Sequence, residues 1–156
     1  MNTQLSTPLL HAGEDERLSL NLLERFAAHR QLRPEAPAIV CGEQRLSYAA
    51  LDAAANRLAQ RLQALGAARD VPVGICLEPG TQLLVAILGV LKAGGAWLPL
   101  DPAWPRERLQ HMLGVVAPTV LITSGALRER CPTGAHRLVD LDRESAQIAA
   151  QTAVDP

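Results

Sequence analysis

The chain has 156 residues, 48% of them hydrophobic and 20% charged, with a formal net charge of −1. That is about one domain's worth of chain, long enough for a compact fold to bury roughly 70% of its unfolded surface. The balance of charge excludes both the basic excess that phosphate backbones reward and the apolar-poor composition of disorder, so no nucleic-acid partner is expected.

Residues 1–19 show no sustained period and contain Pro8 and Gly13, which predicts a loose leader; residues 20–156 make up the folded part. Glu14, Asp15 and Glu16 stand where a secretory signal would need a cationic flank, so a cytoplasmic protein is expected. Leu20, Leu23 and Ala27 then fall on one helical face with Leu22 and Phe26 beside it, and Pro34 ends the segment. "PAIVCGEQRLSY" holds two short apolar runs around Gly42-Glu43, a β-hairpin pattern near residues 37–48. Leu51, Ala55, Leu58, Leu62 and Leu65 step by four and three, with Arg57, Gln60, Arg61 and Gln63 opposite and Gly66 as a cap.

"VPVGICLE", Val71 to Glu78, is a continuous apolar strand of the kind covered on both faces. Pro79 and Gly80 break it, and Thr81 is placed to cap a helix whose residues Leu83 to Leu91 are apolar nearly all round. That run ends at Lys92, well short of the ~20 residues that cross a bilayer, so no membrane partner is expected. A short strand "AWLPL", a Pro-rich loop and a helix opening at Pro105 follow, and then "PTVLIT", "GALRER", "HRLVDL" and "RESAQIAAQTA" repeat the alternation. The fold class is therefore α/β, a mostly parallel sheet with helices on both faces.

Cys41, Cys76 and Cys131 lie far apart without CxxC or nearby histidine spacing, so they read as reduced, half-buried thiols rather than a zinc site or disulfide framework. His11, His29, His111 and His136 are as scattered and receive no role. In "LKAGGAW" the helix end requires a left-handed residue, which Gly94 or Gly95 supplies, and Lys92 sits against the negative end of the helix dipole. Pro99 marks an edge or terminal strand, while Asp101-Pro102 and Trp104-Pro105 set turns into the next helix, with Asp101 as a ligand the rarer alternative. "TSG" at Thr123 to Gly125 has the position of an anion-binding loop, and an ordinary cap explains it equally. "DLDRE" reads as a strand end and cap at Asp140 and Asp142, with metal-binding carboxylates as the alternative.

In order, these segments resemble the adenylation domains of non-ribosomal peptide synthetases, within the acyl-adenylate-forming, AMP-binding family. "LSYAALDAAANRLAQRL" is similar to the family's first core motif, carried by Leu46, Ser47, Tyr48 and Leu51 and followed by Asn56 on its helix. "LKAGGAWLPLDPAWPRERL" is similar to the second, carried by Leu91, Lys92, Ala93, Gly94, Gly95, Ala96, Pro99, Asp101, Pro102 and Arg108. Ala50 replaces a glutamate of the first motif, Trp97 a usual tyrosine, and "CLEPG" an acidic-arginine pair.

The resemblance implies a partial N-terminal lobe of an adenylate-forming enzyme. The complete parent would use ATP and magnesium to convert an amino acid into aminoacyl-AMP, then load it on the phosphopantetheine thiol of a carrier protein. That chemistry needs a lysine in a Thr/Ser/Gly-rich phosphate loop and another in a mobile C-terminal lobe. Lys92 is the sole lysine and already belongs to the second motif. The expectation is thus a segment truncated before the phosphate loop, with no catalytic, cofactor or metal residues of its own and no bound cofactor. Its partners would be the remainder of the domain and the carrier protein. The alternatives are a stand-alone interaction module, or a complementing half of a split enzyme. A helix as apolar as Leu83–Leu91 adds an expectation of self-association.

Overall fold

The computed structural model describes residues 21–156. The expected leader, Leu20 and His11 lie outside them. Helix α1, Leu22–Leu32, opens on a capping box in which Asn21 and Glu24 bond each other's backbone N–H at 3.0 and 2.9 Å. The expected apolar face is shallow: Leu23 and Phe26 pack inward, while Leu22 is exposed and no residue of the helix is fully buried.

Strands β1 (Pro37–Cys41) and β2 (Gln44–Ser47) form the expected antiparallel hairpin, turning at Gly42 with φ +58°. Ser47 then caps helix α2, Tyr48–Ala64, by accepting the N–H of Ala50 at 3.2 Å. Its apolar ladder is buried as the spacing requires, through Leu51, Ala55, Leu58 and Leu62, and Gly66 follows its end at φ +95°.

The second sheet is parallel, in the order β4-β3-β5-β6, from β3 (Pro72–Ile75), β4 (Ala96–Pro99), β5 (Val120–Thr123) and β6 (Arg137–Asp140). Strand β3 is shorter than its apolar run, although Cys76 still donates to the Ile122 carbonyl. Pro99 sits on edge strand β4, where a missing donor costs no ladder bond on the open side.

Alternate strand residues feed two cores. On one face Val73, Ile75, Val120, Ile122 and Val139 meet α2 and helix α3, Thr81–Lys92, through Leu58, Leu62, Ala86 and Val90. On the other, Cys76 and Leu121 meet helix α4, Arg106–Val116, through Leu109 and Leu113. A Cβ at Gly89 of α3 would stand 3.0 Å from Leu58 Cδ2, so the two helices approach as closely as glycine allows. Helix α3 has one exposed large apolar residue, Leu84.

The expected Thr81 cap is absent. Gly80 holds the cap position with no side-chain bond, and the Thr81 hydroxyl, one residue inside the helix, is buried without a partner among the described residues. "GALRER" supplies a single 3₁₀ turn, Arg128–Arg130, instead of a helix, and the last segment supplies the short helix α5, Ser145–Ala149. Glu144 anchors that end by accepting from Arg61 of α2 at 2.7 Å. Among the described residues no helix is long and apolar enough to cross a membrane.

Candidate functional site

The two motifs meet at one buried polar node. Asp52 and Asn56 lie a helical turn apart on the inner face of α2, and Lys92 ends α3 beside them. Lys92 Nζ stands 3.0 Å from Asp52 Oδ1, with both side chains at least nine-tenths buried. Arg30 Nε of α1 reaches Asp52 Oδ2 at 2.9 Å. Lys92 also pairs with Asp155, and Asn56 Nδ2 donates to the Ala153 carbonyl at 2.7 Å. The node therefore fastens three helices and the segment after α5 in one place. A buried charge is tolerable only when it is paired and hydrogen-bonded, and this lysine is paired twice. The sequence pattern places Lys92 against the helix dipole; its carboxylate partners are invisible there because Asp52 looks like a polar interruption of an apolar ladder.

The other motif residues serve the chain's path. Gly94 takes φ +84°, settling which glycine ends α3, and its neighbour Gly95 packs where an added Cβ would lie 3.2 Å from the Val71 carbonyl. Asp101 closes an Asx turn by accepting the Ala103 N–H at 2.8 Å, Pro102 is buried, and Arg108 lies 4.1 Å above the Trp104 ring. Leu46 is half-buried on β2, Leu51 and Ala93 are core, and Leu91 and Ala96 flank the helix-to-strand turn.

An open α/β sheet binds ligands beyond the carboxyl ends of the strands where the connections diverge. Here that point lies between β3 and β5, and a cavity of about 520 Å³ occupies it, lined by Cys41, Gln44, Glu78, Gly80, Thr81 and Ser124. The residues present do not fit a nucleotide triphosphate. The only lysine is held in the node, Glu78 faces the cavity, and the Gly125 N–H of the "TSG" loop is already taken by the Asp142 carboxylate at 2.8 Å. Asp140 is fastened likewise, its Oδ1 accepting from the N–H groups of Asp142 and Arg143 at 3.1 and 3.2 Å. This is the strand-end cap that "DLDRE" suggested.

The thiols depart from expectation. Cys41 is exposed, whereas Cys76 and Cys131 are both buried in the second core, within one cluster. Cys131 Sγ donates to Thr123 Oγ1 at 3.3 Å. The hydrogen bond from Cys76, helped by Thr123, Arg106 and Arg128 against the cost of burial, lowers the Cys131 thiol to about 6. Donating that bond, together with burial, holds Cys76 far above the usual thiol range. Nothing in the sequence spacing joins these residues; only the adjacency of β3 and β5 does.

Set beside known proteins, this fold and its motif node define the class. The profile of the family described as AMP-binding enzyme matches residues 26–155, so the chain belongs to that family. Within it, the chain corresponds to the N-terminal segment of a peptide-synthetase adenylation domain. It is 42% identical over 125 residues to a linear gramicidin synthase polypeptide of Brevibacillus parabrevis, covering 80% of this chain and 2% of that synthase. It is 42% identical over 115 residues to malpinin synthetase of Mortierella alpina, covering 74% of this chain and 2% of that protein. The crystal structure of the nonribosomal peptide synthetase FmoA3 in its α-methyl-L-serine-AMP bound form superposes with a TM-score of 0.80 at 29% identity, over 87% of this chain and 15% of that one. The chain thus spans 2% of the length of each of these two synthetases and 15% of the crystallised chain.

Proposed function

We propose that these residues are the scaffold on which an amino-acid adenylation site is built, and that the chain alone does not activate an amino acid. The observation that carries this reading is the state of Lys92: the one lysine of the sequence is committed to Asp52 and Asp155 and has no charge to offer a phosphate. The complete domain would join an amino acid to ATP with magnesium and load a carrier protein, in the cytoplasm. The share of that work done here is to fix the sheet and helices against which later segments close. Self-association goes with the reading, supported by the exposed apolar side chains of Val40, Trp97 and Val115.

The test is amino-acid-dependent ATP–pyrophosphate exchange by the purified chain, alone and mixed with a separately produced segment that begins at an adenylation phosphate loop. Exchange is expected in neither the chain nor the added segment alone, and in the mixture if the halves complement. Exchange by the chain alone would overturn the proposal. A purely interaction-based role, the rival reading, predicts silence in every mixture together with capture of a defined partner.

A further inference from the structure

Beside the thiol pair lies a cavity of about 530 Å³ whose lining includes Cys131, Arg106, Arg128, Arg143 and His136, with Glu129 as its one carboxylate. We propose that Cys131 and Cys76 form a thiol–disulfide exchange site, in which this arginine-lined cavity admits a small anionic disulfide to Cys131 and Cys76 then closes an intramolecular bridge. Four observations converge on it. The two cysteines are packed in the same small buried cluster, against Leu109, Leu113 and Leu121. Cys131, 5% exposed, lines the cavity, while Cys76, 1% exposed, does not. Three guanidinium groups line the cavity; Arg128 and Arg143 share the one Asp140 carboxylate at 3.7 and 3.6 Å and Arg106 donates to the Glu129 carbonyl, which leaves a net positive lining that favours an anion over a cation. Thr123 presents a hydroxyl that can turn to donate to a thiolate.

The roles divide by environment. Arg106 and Arg128 line the same cavity as Cys131 and favour its thiolate, whereas the charges that act on Cys76 oppose one another, Arg130 favouring ionisation and Asp101 disfavouring it. The thiolate is the attacking species in exchange, so Cys131 reacts first. Its sulfur attacks one sulfur of the incoming disulfide, forming a mixed disulfide and releasing one thiolate, which takes up a proton from solvent. Cys76 then loses its proton and attacks Cys131 Sγ, expelling the second small thiol. Two protein thiols lose two hydrogens and two electrons, and one disulfide is reduced to two thiols.

The probe is glutathione disulfide, with cystamine as its cationic counterpart, applied to the full chain in a Cys41→Ser background so that the exposed thiol does not compete. Mass spectrometry should show a transient adduct on Cys131 and then a Cys76–Cys131 bridge. Cys76→Ser should stop at the adduct, and Cys131→Ser should leave Cys76 unmodified. Arg106→Gln with Arg128→Gln should slow glutathione disulfide by at least about tenfold without slowing cystamine. Peptide mapping at early times on the chain with both cysteines intact gives the same answer without depending on how well any core variant folds. First reaction at Cys76, failure to form the bridge in the folded chain, or equal slowing of both probes would overturn the proposal.

Discussion

The two faces of the parallel sheet are built differently. On one, helices α2 and α3 lie against Val73, Ile75, Val120 and Ile122, and the Lys92 node locks the helix ends together. On the other, α4 is the single long helix, the buried set is smaller, and two thiols replace aliphatic side chains within it. The first face is where both family motifs converge, and the charged groups of its node are paired with each other. The second holds reactive groups beside an open cavity. The motif residues described here hold helix ends and turns in place.

The largest effect should come from the deeper core. Leu62→Ala, at a fully buried position, should cost about 4 kcal/mol, and Leu113→Ala on the α4 face, at 7% exposure, about 2.5 kcal/mol, within the usual range for such cavities. Denaturant unfolding of both would sharpen the contrast, and equal costs would remove it. Lys92→Met should follow at about 3 kcal/mol, the low end for breaking a buried pair because Arg30 still serves Asp52.

Smaller effects probe the chain's turns. Gly94→Ala should cost about 1 kcal/mol, since φ +84° suits glycine alone. Ala117 ends α4 at φ 47°, so Ala117→Gly should raise stability by about 0.5 kcal/mol, readable as a small rise in the denaturant midpoint. The smallest is a pH effect. Burial lowers the His136 pKa from its ordinary 6.5, partly offset by a hydrogen bond to the Pro132 backbone. The unfolded chain then binds more protons below that value, so stability contributed by neutral His136 is present above pH 6.5 and lost as pH falls through the folded value. His136→Gln should flatten that limb in an unfolding series, and an unchanged slope would contradict it.

Much of this was legible in the sequence for physical reasons. The step of four and three from Leu51 to Leu65 can be satisfied only by a helix buried on one side, and the unbroken run around Val73 only by a strand covered twice. Gly66 and the Gly94-Gly95 pair marked the ends of their helices, and the structure chose Gly94. What escaped depends on contacts distant along the chain: Asp52 finds Lys92 only when α2 packs on α3, and Cys76 finds Cys131 only across β5. Thr81 misled because a threonine after a glycine offers two cap registers, and the helix begins one residue early with Gly80 as its cap.

The most direct test of the account is a double-mutant cycle of Lys92→Met and Asp52→Leu, read by the unfolding free energies of the four chains. If the motif lysine is a structural anchor, the double variant should be at least about 2 kcal/mol more stable than the sum of the single losses predicts, because neither charge is left buried alone. Additivity within about 0.5 kcal/mol would show that Lys92 and Asp52 do not depend on one another. That result would contradict the reading of Lys92 as the anchor of Asp52.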